Sequence, residues 1–298
     1  MTTTTKSLAN LSLGRRMLNK VPEVTQFFWI IKIMCTTVGE TAADYLNDNL
    51  GFGLTNTTYV TGGLLAVLLF VQFRLRRYVP AVYWSVVVVI SVFGTLITDN
   101  MTDAHNVPLT TTTPIFAAIL AVVFAVWFAV ERTLSIHTIV TSRREAFYWL
   151  AILFTFSLGT AAGDLVAEQF SLGYGPSIAI WGGFIAAITA LHFGLRLNAV
   201  LAFWLAYILT RPLGASIGDF MSQNSHKYGG LGLGTTGTSY IFLGCILALV
   251  TYLTLTKRDQ TSRDVIVADE EAHRLPHPPK RPHHHVHARP GRPLSEEA

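Results

Sequence analysis

A single register recurs four times along the chain. A Gly stands five residues before an Asp at Gly39/Asp44, Gly94/Asp99, Gly159/Asp164 and Gly214/Asp219, and a Trp stands fifteen before each Asp, at Trp29, Trp84, Trp149 and Trp204. The Asp positions are 55, 65 and 55 residues apart, so Asp44 to Asp164 and Asp99 to Asp219 both span 120. One unit doubled, and the pair doubled again, gives that spacing. Any fold must therefore accommodate four equivalent copies.

Those copies lie in sequence suited to lipid. The chain is 51% hydrophobic and 13% charged, against about 25% charged in ordinary soluble domains. Eight mostly apolar segments centre on residues 29–46, 59–73, 82–99, 114–130, 147–166, 178–195, 200–220 and 240–256. Each is long enough to cross a hydrocarbon core of about 30 Å as a helix. In a bilayer the backbone must satisfy its own hydrogen bonds, so such runs are helices even where Val and Ile would favour strands in water. No alternation of the barrel type is present. The expected fold is an all-α membrane protein of eight transmembrane helices, four parallel two-helix repeats (24–78, 79–143, 144–198 and 199–256) around a pseudo-symmetric axis. Residues 1–23 then form an N-terminal segment with a short interfacial helix or a frayed end, and 257–298 a disordered tail rich in His and Pro. Gln72-Phe73, Trp127-Phe128 and His192-Phe193 begin 28 residues after their respective Asp, which carries the register into the second helix of three units.

Basic residues fall in alternate connections: Arg74, Arg76 and Arg77; Arg132, Arg143 and Arg144; Arg196; and both chain ends. The opposite connections hold only Lys227. The positive-inside rule then puts both termini in the cytoplasm, with the four motif helices all running outward. The net charge of +4 becomes an asymmetry between faces that attracts anionic lipid, and no nucleic-acid motif accompanies it. Assembly with further copies is left open. On this reading the Trp set anchors the helices at the cytoplasmic interface, and Lys32 snorkels toward it. Cys35 and Cys245 are small hydrophobes with no disulfide.

Each Asp lies about 22 Å beyond its Trp along a helix, in the outer part of the core. Four residues on, and so on the same face, stand Asp48, Asp103, Glu168 and Gln223. If these faces converge, Asp44, Asp99, Asp164 and Asp219 form a ring with a second layer a turn further out. Glu40 is deeper, and a lone carboxylate there costs about 2.5–3.5 kcal/mol. Arg211, beside Pro212 at a comparable depth, is its expected partner, with Thr95, Thr160 and Gln223 as supporting polar groups. Clustered carboxylates cannot all stay ionised in low dielectric without counter-charge, which a cation supplies. Oxygen donors without Cys or Met suit Mn²⁺, Mg²⁺ or Ca²⁺ over Cu⁺. His105 and His226 tilt the choice toward Mn²⁺ or Zn²⁺ if they reach the site. The expected function is transport of a cation, a divalent metal first and manganese export foremost, with the metal as substrate rather than resident cofactor. Two alternatives stand beside it: a channel for monovalent cations or protons, and a non-transporting sensor or scaffold whose Asp residues tie helices together. No paired nucleophile and base or hydrolase-type metal motif is present, so an enzyme is not expected. The His cluster of the tail (His273, His277, His283, His284, His285, His287) reads either as a metal-binding or as a lipid-facing segment.

The layout, with Gly39-Glu40-Thr41-Ala42-Ala43-Asp44 in the first segment and Gly159-Thr160-Ala161-Ala162-Gly163-Asp164 in the fifth, resembles a family of functionally uncharacterised bacterial eight-helix integral membrane proteins. The resemblance covers about residues 24–256 and implies the bacterial inner membrane. Gly163-Asp164 and Gly218-Asp219 are similar to the short Asp motifs of small cation exporters, while Ala43 and Thr98 interrupt that pair in the other two repeats.

Overall fold

The computed structural model describes residues 19–49, 51, 53–224 and 229–259, with the backbone alone at 48 and 49. The expectations for residues 1–18, for His226 and for the tail from 260 onward lie outside the described residues. Within them are eight long helices: α1 Gln26–Asp44, α2 Leu54–Arg74, α3 Pro80–Asp99, α4 Leu109–Glu131, α5 Ser142–Asp164, α6 Tyr174–Leu195, α7 Ala199–Ser222 and α8 Gly234–Thr256. Seven are long and apolar enough to cross a membrane. The exception is α1, which carries Lys32, Glu40 and Asp44. By composition this is a multi-pass membrane protein, and large apolar side chains such as Tyr59, Phe193 and Leu247 face outward.

Local chemistry sets the helix starts. Thr25, Thr141 and Asn198 accept backbone N–H groups at the first turns of α1, α5 and α7, and Pro80 opens α3. Helices α2 and α6 begin after Gly53 (φ 72°) and Gly173 (φ 80°), left-handed positions that favour glycine.

Helices α1, α3, α5 and α7 form a closed inner ring, each against the next and α7 back against α1. The outer helices each cover the inner helix that follows: α2 on α3, α4 on α5, α6 on α7 and α8 on α1. Glycine explains the closeness of the ring. Five residues of helix rotate by about 140°, so when Asp faces the axis the preceding Gly faces a flanking helix. Gly39 lies on Ser91, Gly94 on Phe156 and Ser157, Gly159 on Arg211 and Pro212, and Gly214 on Thr36. The partners Thr36, Ser91, Phe156 and Arg211 each stand eight residues before their own Asp. One contact is thus repeated four times around the ring. At Gly94 a Cβ would lie 2.8 Å from the Cβ of Phe156 and 3.3 Å from the amide N of Ser157. That approach lets Thr98 Oγ1 donate to the Ser157 carbonyl (3.0 Å) and Ser157 Oγ to the Gly94 carbonyl (3.1 Å).

The Trp set turns inward at three of its four positions rather than outward to lipid. Fifteen residues of helix rotate by about 60° net, so a Trp shares the inward side with its Asp. Trp84, Trp149 and Trp204 are buried, and with Phe28, Tyr83, Tyr148 and Tyr207 they close one end of the ring, while Trp29 is half-buried against Phe28 and Phe203. Lys32 does not snorkel either. It is fully buried, its ammonium donating to the Tyr207 carbonyl (3.0 Å) and to Thr210 Oγ1 and lying 3.9 Å from the Tyr207 ring centroid. A cation held by a carbonyl, a hydroxyl and a ring face needs no route to water.

At the Trp end the fold runs past 256. The Asp259 carbonyl accepts from the Glu23 amide (2.9 Å), and its carboxyl, 1% exposed, accepts from the Tyr78 hydroxyl (2.6 Å). Burial raises the Asp259 carboxyl above its usual range, partly offset by that hydrogen bond, and raises the Tyr78 hydroxyl as well. Close by, buried Lys20 pairs with Glu145 at 2.6 Å, and Gln72 Nε2 donates to the same carboxylate at 3.1 Å.

Candidate cation site in the helix ring

The site is built in layers. Directly after three of the four Asp the helix widens into a π-turn, at Tyr45–Asn49, Asn100–Ala104 and Leu165–Gln169, whereas α7 runs on as α-helix past Asp219 to Ser222. Widened turns of this kind interrupt the regular ladder and recur at functional sites.

Glu40, Asp164 and Asp219 each offer a carboxylate oxygen, and these oxygens lie within 4.8 Å of one another. Asp99 is in electrostatic reach of Glu40, Asp164 and Asp44, and Asp44 of Asp164 and Asp219. Glu40 and Asp219 are 6% and 7% exposed, while Asp44, Asp99 and Asp164 are half-buried. Among the described residues the carboxylates of Asp99, Asp164 and Asp219 accept no hydrogen bond. Glu40, placed by sequence a turn below the ring, joins the group because it stands four residues before Asp44 and shares its face.

The layer four residues beyond each Asp is described at three of its four positions, and two of these lie in electrostatic reach of the acid group, Asp103 of Asp99 and Glu168 of Asp164 and Asp219. Asp103 is exposed. Glu168 accepts from the Tyr174 hydroxyl at 3.0 Å, and Gln223 Nε2 donates to Asp44 Oδ2 at 3.4 Å. The side chain of Asp48 lies outside the described residues. His105 is exposed and bonds through Nδ1 to the Asn100 carbonyl at 2.6 Å, away from the acid group. Cys35 is buried, Cys245 is exposed, and neither belongs to the group.

One turn below the Asp layer, four residues before each Asp, stand Glu40, Thr95, Thr160 and Ala215. Arg211, fully buried on α7, reaches three of them. Its Nη2 donates to Glu40 Oε2 (2.7 Å), Thr160 Oγ1 (2.7 Å) and Thr95 Oγ1, and its Nη1 donates to the Thr36 carbonyl (2.9 Å). The fourth position, Ala215, carries no polar side chain. The ion pair anticipated from depth is therefore present, and its guanidinium ties together all four inner helices.

The charges do not balance locally. Two ionised carboxylates 4.8 Å apart repel by about 3.5 kcal/mol at an effective dielectric constant of ~20. Among the described residues Arg211 pairs directly with Glu40 alone. Twice a metal–oxygen distance of ~2.0–2.6 Å is about 4–5 Å, so oxygens within 4.8 Å can share one hard ion.

Fold and site together define a class: an all-helical, four-repeat protein with an apolar exterior and an acid group enclosed by its inner helices. The chain belongs to the family described as Repeat of Unknown Function (DUF347), whose model matches residues 27–78, 82–133, 147–197 and 202–259. The last match ends at the buried Asp259. No curated protein and no solved structure matches the chain.

Proposed function

We propose that this protein moves a divalent cation, manganese in the first instance, out of a bacterial cell across its inner membrane. One observation carries the reading: Glu40, Asp164 and Asp219 from three inner helices gather their oxygens within 4.8 Å, with Asp44 and Asp99 alongside and one guanidinium as direct counter-charge. An ion entering this group relieves repulsion that the protein leaves in place. Oxygen donors alone favour a hard ion.

The orientation follows the basic residues. Arg74, Arg76, Arg77, Arg132, Arg143, Arg144 and Arg196 lie toward the Trp end, which is assigned to the cytoplasm with both termini. The acid group then faces outward. Thr95 and Thr160 support Arg211, and Gln223 holds Asp44; these residues shape the site without ligating the ion. The test is flux: full-length protein in liposomes with a trapped Mn²⁺-quenched dye should admit Mn²⁺ faster than protein-free liposomes, and Asp164→Asn or Asp219→Asn should slow entry at least tenfold. Equal rates for wild type and both variants would remove the acid group from transport. Currents of K⁺ or Na⁺ without Mn²⁺ flux would favour the channel reading instead.

A further inference from the structure

Below Arg211 the ring is not filled with hydrocarbon alone. Six buried ionisable side chains, Lys32, Tyr207, Tyr148, Tyr83, Tyr78 and Asp259, lead from the acid group to the Trp end. Lys32 is bound to the Tyr207 carbonyl and Thr210 Oγ1 as described, with Arg211, Cys35 and the Phe156 ring as its other close neighbours. The hydroxyls of Tyr83 and Tyr148 are 2.5 Å apart, and that of Tyr78 is 2.6 Å from Asp259 Oδ2. Three fully buried polar atoms on this line have no partner among the described residues: Arg211 Nε, the Tyr207 hydroxyl and Asp259 Oδ1. Buried polar atoms of this kind are where ordered water sits.

Packing does not require these hydroxyls. Sixteen residues before each Asp stand Phe28, Tyr83, Tyr148 and Phe203, so two of the four equivalent positions are Phe. The hydroxyls occur on α3 and α5, where they meet each other.

We infer that this column is a proton path joining the acid group to the face of the membrane at the Trp end. The role of the acid group rests on the transport reading, whereas conduction along the column is measurable alone. Each proton passes the guanidinium by the Thr95 and Thr160 hydroxyls, 3.5 Å apart, and bridging water. The Lys32 ammonium gives one proton onward and receives another. Each Tyr hydroxyl accepts a proton on oxygen and releases its own on the other side, so every group is restored after a passage. Asp259 delivers the proton to water.

The test uses the full-length chain in liposomes with a trapped pH dye, a K⁺ gradient and valinomycin, with and without Mn²⁺ on both sides. Wild type should conduct protons faster than protein-free liposomes, and Tyr83→Phe and Tyr148→Phe should each lower the rate at least tenfold while the variants stay folded by circular dichroism. The inference is overturned if wild type conducts no faster than bare lipid in either condition, or if both variants match wild type. Calorimetry with Mn²⁺ on the same samples separates the two ideas. Binding without proton flux removes the column and keeps the acid site, whereas proton flux without binding, lost in the Phe variants, keeps the column and removes the metal.

Discussion

Replacing Arg211 by Gln removes the cation that joins the four inner helices. Glu40 is then left 6% exposed without its ion-pair partner, and the Thr36 carbonyl, Thr95 and Thr160 each lose a donor. Breaking a buried pair from one side costs about 3–5 kcal/mol, and Arg211→Gln should destabilise by that amount. Glu40→Gln keeps three of the contacts to Arg211 but strands a buried guanidinium, so a loss of similar size follows. In the double variant neither charge remains, and its cost should fall short of the sum of the singles by on the order of 1–3 kcal/mol. Denaturant unfolding of the three variants and wild type in one detergent completes the cycle. A single-variant cost below ~1 kcal/mol, or additivity within ~0.5 kcal/mol, would refute the argument that Arg211 and Glu40 stabilise the ring as a pair.

Other expectations follow from packing and charge. Gly94→Ala should destabilise by about 1–3 kcal/mol through overlap with Phe156 and the Ser157 backbone, while Gly182→Ala on α6, with open space around it, should be neutral or gain up to ~1 kcal/mol; unfolding curves of the two variants decide. Trp204→Ala should cost about 3–5 kcal/mol, because the ring is buried among Phe124, Trp127 and Tyr207; a surface-like cost below ~0.5 kcal/mol would return this Trp to the interface. Asp259 has a raised carboxyl in the folded state, so the stability it lends is complete below the ordinary Asp value of ~4 and is lost as pH rises through the raised value. Wild type should therefore weaken relative to Asp259→Asn across that interval in unfolding measured against pH, and parallel curves would contradict it.

Much of the fold was legible because Trp, Gly and Asp repeat at one spacing, and helical geometry converts the spacing into faces. The same arithmetic turns the Trp inward, about 60° from the Asp, but the preference of indole for interfaces pointed the other way. The interior won because Trp84, Trp149 and Trp204 pack there against Phe28, Tyr83, Tyr148 and Tyr207. Arg211 and Glu40 were legible as a pair because depth along a helix is readable and a lone charge at that depth is costly. Lys32 was not, since its partners Tyr207 and Thr210 lie on α7, 175 and 178 residues away. The π-turns left no mark either: Tyr45-Leu46, Asn100-Met101 and Leu165-Val166 open them with no residue type in common.

Calorimetric titration of Mn²⁺ into the detergent-solubilised full-length chain tests the central claim most directly. One saturable site per chain should appear, weakened at least tenfold by Asp164→Asn and by Asp219→Asn and unmoved by Asp103→Asn, whose carboxylate is exposed. Absence of a saturable site, or equal affinity in all three variants, would contradict an acid group assembled to receive a cation.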